Sequence, residues 1–161
     1  KQHNSKMCFV CGLHNPAGLH ASFYEVEDDQ LVAIFTPCEK HQGYPGRLHG
    51  GLAAAILDEV IGRAMNITNE EIWGVTVDLQ IRYKQPVPLD TELRVVGRIT
   101  GENRRLFEGG GEILLPDGEV AVQGHGKYIK LPLDQIADFD YEEQEWKVIP
   151  GEEDPKEIDL P

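Results

Sequence analysis

Nowhere in the 161 residues does an apolar run approach the ~20 that a membrane-spanning helix requires. A basic leader followed by an apolar stretch is also missing, so no secretory signal is visible. A cytoplasmic chain with no membrane partner is therefore expected. Basic residues are scarce: 15 Lys and Arg stand against 28 Asp and Glu, a net charge of −13. Nucleic acid binding needs a basic face to neutralise phosphates, and none is expected here. The deficit is uneven. Residues 133–161 hold eleven acidic and two basic residues, a net of −9, which leaves −4 for residues 1–132. One domain over 1–132 is expected, with an irregular opening segment at 1–19 and an acidic C-terminal extension at 133–161. Any polyanionic ligand has to be held by a local cluster of Lys and Arg.

Cysteine is also sparse. Cys8, Cys11 and Cys38 are the three, an odd count that points to a reducing compartment. Cys8-Phe9-Val10-Cys11-Gly12 is a CxxC, but no second CxxC completes a four-ligand zinc site. Structural thiols, a metal shared between subunits, and redox chemistry all remain open for this pair. No metal ligand set and no cofactor is assigned.

The most distinctive stretch is His49-Gly50-Gly51 followed by Leu52-Ala53-Ala54-Ala55-Ile56-Leu57-Asp58-Glu59-Val60-Ile61-Gly62-Arg63. Its composition favours a helix that is apolar on most sides and therefore buried. A carboxylate inside such a helix is costly unless partnered or used. Glu59 has Arg63 at i+4, the favoured orientation for a helical ion pair. Asp58 has only Ala54 and Gly62 at those offsets. The glycines at the helix start expose N–H groups and the positive end of the dipole to a close-approaching ligand.

Around this helix the pattern is that of strands. Residues 20–27 and Gln30–Thr36 form a hairpin about Asp28-Asp29. A loop from Pro37 to Leu48, holding His41, Gln42 and Gly43, leads into the helix. After it, Gly74–Tyr83 alternates, with Val75, Val77, Leu79, Ile81 and Tyr83 on one face and Thr76, Asp78, Gln80 and Arg82 on the other. Thr91–Thr100, Leu106–Leu115 and Glu119–Leu131 follow, separated by connections too short for crossover helices. An α+β architecture is expected, a six-stranded antiparallel sheet curled round one long helix, with the last four strands as a meander.

Several motifs fall in this frame: Cys8-x-x-Cys11-Gly12 with Asn15-Pro16-x-Gly18-Leu19; Gln42-Gly43-x-Pro45-Gly46; His49-Gly50-Gly51 with Asp58 nine residues after the histidine; and Gly74-Val75-Thr76-Val77 leading to Tyr83-x-x-Pro86. Over about residues 8–131 the chain resembles the hotdog-fold thioesterases of the PaaI-like branch, which includes the thioesterase-superfamily members. The resemblance implies the hotdog fold and hydrolysis of acyl-CoA or a related acyl thioester. It places Gly50 at the thioester carbonyl, with His49 positioning it and Gly51 beside it. Asp58 becomes the base or nucleophile, and Thr76 orients water beside it. Gln42 and Gly43 are expected at the cleft, and Arg82 and Lys84 are candidate phosphate contacts, although solvated surface charge serves equally well for those two.

Gly50 and Asp58 are eight residues apart, about 12 Å along a helix. One carbonyl cannot touch both, so their joint action requires two helices from two chains. A homo-oligomer, dimer or dimer of dimers, with composite sites is expected. A non-catalytic acyl-CoA binding or sensing module on the same fold is the alternative, and a hotdog dehydratase using His41 and Glu59 is a weaker one.

Overall fold

A computed structural model describes residues 1–152 and 154–161. β1 (Ser22–Val26) and β2 (Gln30–Phe35) form the expected hairpin. Asp28 and Asp29 adopt φ of 59° and 52° at its turn, a conformation that Asp tolerates better than most side chains. Helix α1 (Gly50–Arg63) follows and tightens into a 3-10 turn over Ala64–Ile67. β3 (Ile72–Tyr83), β4 (Leu93–Glu102), β5 (Leu106–Leu114) and β6 (Val120–Pro132) complete one six-stranded sheet. All its pairings are antiparallel. The helix sits in the curl of this sheet, with Ile56, Leu57, Val60 and Ile61 fully buried against Leu31, Val95, Phe107 and Ile113. This is the hotdog architecture.

The order of strands corrects the expected meander. The sheet runs β1-β2-β4-β5-β6-β3, so β3 pairs with β6 and not with its sequence neighbour β4. The reason lies in residues 84–92. Pro86 and Pro88 cannot donate to a ladder, and the segment docks on the loop before the helix instead: Leu48 N–H donates to the Val87 carbonyl at 2.9 Å, and Arg47 bridges to Pro88. The chain thus crosses the helix start before re-entering the sheet. β3 becomes an edge strand paired only with β6.

The two faces of β3 are also not those of simple alternation. The register slips between Thr76 and Asp78, a bulge at Val77 that reverses which positions face the helix. Before it, Gly74 and Thr76 point inward; after it, Leu79, Ile81 and Tyr83 do. Thr76 is therefore parted from Asp78, Gln80 and Arg82, and Val77 is left 54% exposed.

Helix and sheet approach closely at Gly97 of β4, where a Cβ would lie 2.8 Å from the Val60 carbonyl oxygen. That neighbour is helix backbone and cannot rotate away. Gly97→Val is expected to cost about 3 kcal/mol, lowering the melting temperature by about 6–12 °C for a chain of this size. Thermal denaturation followed by circular dichroism reads this directly.

The N-terminal segment and the acidic extension lie together. Asn4 pairs with Lys147, and Trp146 packs against His3, Trp73 and Phe139.

Candidate active site

His49 caps α1. Its backbone is extended, with φ −63° and ψ 133°, and its Nδ1 accepts the Gly51 N–H at 2.9 Å. Accepting there leaves the ring proton on Nε2. The His49 carbonyl takes the N–H groups of Leu52 and Ala53. Gly50 is different: its N–H has no acceptor among the described residues. No acidic residue occupies the first turn, so the positive end of the helix dipole is not offset locally. Tyr83 donates its hydroxyl to the Gly50 carbonyl at 2.7 Å, fixing that peptide from the other side.

Gly50 borders a cleft of about 440 Å³ lined by Tyr44, Arg47, Ala53, Tyr83 and Lys84 among others. Two larger hollows, of about 520 and 690 Å³, lie where the chain's ends pack on the sheet. Neither contains a residue of α1, so the smaller cleft is the one relevant to the helix start.

Asp58 is half-buried near the middle of the helix. Thr76 Oγ1 donates to its Oδ1 at 2.9 Å, with Oδ2 at 3.2 Å. The Tyr128 hydroxyl lies 3.1 Å from Oδ1 and 3.2 Å from the Asp58 carbonyl. Burial pushes the carboxyl above its ordinary range, and the nearby Glu59 charge adds to the rise; the hydrogen bonds from Thr76 and Tyr128 oppose it. Tyr128 is itself held neutral, by its own burial first and then by Asp58. The result is a carboxylate more basic than usual, steered by two hydroxyl donors. Its neighbour is occupied: Arg63 Nε donates to Glu59 at 2.7 Å.

Tyr128 was not singled out by sequence reasoning, although a signal existed. Positions 122, 124, 126 and 128 of β6 read Val, Gly, Gly, Tyr, and on a two-residue period they share one face. Tyr128 is the one polar tip among them.

The remaining expected residues scatter. Gln42 and Gly43 lie exposed on the approach loop, where the Gly43 N–H bonds the Arg47 carbonyl and Gln42 pairs with Leu48. Lys84 lines the cleft, whereas Arg82 points outward from β3 and does not. Arg47, not among the expected contacts, is the second cation at the cleft. His41 is buried, with Nδ1 accepting from the Cys38 N–H and Nε2 3.1 Å from the Gly18 carbonyl. With His41 bound by backbone and Glu59 by Arg63, the pair required for a dehydratase is not assembled.

Removing either hydroxyl donor should leave Asp58 harder to ionise. In Thr76→Val and Tyr128→Phe, the acid limb of the kcat/KM profile is expected to move to higher pH, with turnover on that limb about tenfold lower, the worth of one hydrogen bond to a charged group. An unmoved limb in both variants would mean that another group titrates.

A family model described as the thioesterase superfamily matches residues 45–122, from the approach loop through α1 and into β6. Acyl-coenzyme A thioesterase 13 of Mus musculus is 32% identical over 78 residues, covering 48% of this chain and 56% of that protein. Acyl-coenzyme A thioesterase THEM4 of Rattus norvegicus is 36% identical over 89 residues, covering 55% of this chain and 37% of that protein. A solved thioesterase superfamily protein superposes with a TM-score of 0.70 at 30% identity, covering 76% of this chain and 63% of that one. The chain thus spans less than two thirds of the length of each of these relatives.

Proposed function

This chain belongs to the thioesterase superfamily and carries its hotdog fold, and from that premise we propose that it hydrolyses acyl-CoA or a related acyl thioester to the free acid and thiol. The observation that carries the reading is Asp58: a carboxyl made more basic by burial, held by Thr76 and Tyr128, on the same helix whose first residue, Gly50, lines a cleft.

The thioester carbonyl oxygen accepts from the Gly50 N–H, which stabilises the charge that develops there. Asp58 takes a proton from water, and the oxygen adds to the carbonyl carbon. The tetrahedral species collapses, the C–S bond breaks, and the proton held by Asp58 passes to the departing thiolate. Direct attack by Asp58, giving a transient anhydride that water then cleaves, uses the same residues. Arg47 and Lys84 at the cleft suit the phosphates of the carrier.

If both residues act on one carbonyl, the eight-residue spacing of Gly50 and Asp58 requires each site to be a product of two chains. The unpaired edge of β3, with Val77 exposed beside it, supports a dimer joined there, since pairing would cover the open ladder. Thiol release measured over a panel of acyl- and aryl-CoA substrates, together with mass in solution, tests the reading. Turnover by a dimer or larger assembly is expected. Tight acyl-CoA binding without turnover on any acyl group would favour the binding module, and an active monomer would overturn the composite site.

A further inference from the structure

The CxxC takes no part in this chemistry, yet it is built with care. The Cys8 Sγ accepts the N–H groups of Val10 at 3.3 Å and Cys11 at 3.5 Å. Gly12 closes the turn, its N–H donating to the Cys8 carbonyl at 2.8 Å; a Cβ there would collide with the Cys8 backbone. Cys11 is fully buried, and Arg63 Nη2 lies 3.2 Å from its sulfur. That guanidinium is only 3% exposed and also holds Glu59 and the His3 carbonyl. Cys8 instead reaches the surface. It lines an apolar pocket of about 280 Å³ formed with Met7, Phe139 and Trp146.

Both sulfurs and a Glu59 oxygen lie within 4.8 Å of one another. A metal is nevertheless disfavoured. A closed zinc site takes four ligands, no fourth acidic, histidine or cysteine donor joins these three among the described residues, and Arg63 sets a fixed positive charge against two of them.

We propose that Cys8 and Cys11 form a thiol–disulfide exchange site, in which Cys8 attacks a low-molecular-weight disulfide from the apolar pocket and Cys11 resolves the adduct. Contact with the Cys11 thiol, backed by the two N–H donors, draws the Cys8 thiol below its usual range against the opposing effects of burial and the Glu59 charge, while the same contact and burial push Cys11 up. Cys8 is thus the thiolate and Cys11 the reserve thiol. The Cys8 thiolate attacks one sulfur of RSSR, forming a mixed disulfide and releasing RS⁻. With the charge on Cys8 consumed, Cys11 gives its proton to RS⁻, its own charge met by Arg63. It then attacks the Cys8 sulfur, closing the Cys8–Cys11 disulfide and expelling the second RS⁻. The dithiol is oxidised by two electrons, and RSSR is reduced to two thiols.

The test incubates the intact protein with glutathione disulfide, alkylates the remaining thiols and measures the mass. Wild type should close its disulfide and take one alkyl group, at Cys38. Cys11→Ser should retain a glutathionyl group at Cys8, acquired several-fold faster than any at Cys38. Cys8→Ser should acquire none at Cys11. Wild-type protein that takes alkyl groups on all three thiols after excess glutathione disulfide overturns the proposal. So does Zn²⁺ that shields Cys8 and Cys11 from alkylation at one equivalent, with the shielding lost in Glu59→Gln, since the cluster would then be a metal centre.

Discussion

Asp58→Asn is expected to lower thioester turnover by about 10²-fold or more, the loss that follows removal of a general base, while KM changes little. The amide oxygen still accepts from Thr76 and Tyr128 but cannot take a proton from water. Stability should not fall with activity. Burial raises the pKa of Asp58 in the folded chain, so the folded state binds this proton more tightly than the unfolded one. The group therefore favours folding when protonated, and that contribution is lost as the pH rises through the folded-state pKa. At neutral pH its ionised form opposes folding, so the uncharged amide should hold or raise the melting temperature. Glu59→Gln is the contrasting control. It breaks the ion pair to Arg63 and should cost stability with turnover largely kept. If Glu59→Gln abolishes thiol release and Asp58→Asn preserves it, the assignment of the base is wrong.

Gly50→Pro is the second large effect, and an unusually clean one. Proline is favoured at the first position of a helix, where its missing N–H breaks no intrahelical bond. It requires an extended residue before it, and His49 has ψ of 133°. The nearest atoms to a Cβ at Gly50 are those of the Tyr83 ring at 3.4 Å, ordinary contact. The helix should persist while the N–H at its start that has no acceptor among the described residues disappears. Loss of an oxyanion donor is worth about 10²–10³ in kcat. Mixing the two variants separates composite from single-chain sites. In a dimer of one Asp58→Asn chain and one Gly50→Pro chain, one of the two composite sites joins an intact Gly50 to an intact Asp58. Random reassortment of equal amounts should restore about a quarter of wild-type activity. Sites contained within single chains would stay inactive in the mixture.

The residues along α1 show what could be read in advance. That the segment is a buried helix follows from its composition. That Glu59 has a partner on its own helix and Asp58 has none follows from offsets of four residues, because a helix has one period and side chains four apart must meet. The strand and turn content followed from local pattern in the same way. So did the separation of Gly50 and Asp58, about 12 Å by rise per residue, on which the proposed two-chain site rests.

What the tertiary structure decided were relations between segments distant in sequence. Strand order is one: the proline-bearing crossing at residues 84–92 sent β3 to the far edge beside β6, and local pattern carries no information about which ladder a strand joins. Thr76 is another. Uninterrupted alternation set it on the outer face with Arg82, and only the bulge at Val77, a mismatch between β3 and its partner, turned it toward Asp58. Tyr128 reaches the same carboxylate across seventy residues, and His49 occupies the Gly51 N–H, while the Gly50 N–H has no acceptor among the described residues. The sequence by itself determined which groups are chemically unusual, because propensity and spacing are local properties of the chain. Which of them face one another was decided only when the sheet closed round the helix, because register and strand order are fixed by packing between segments that the sequence keeps far apart.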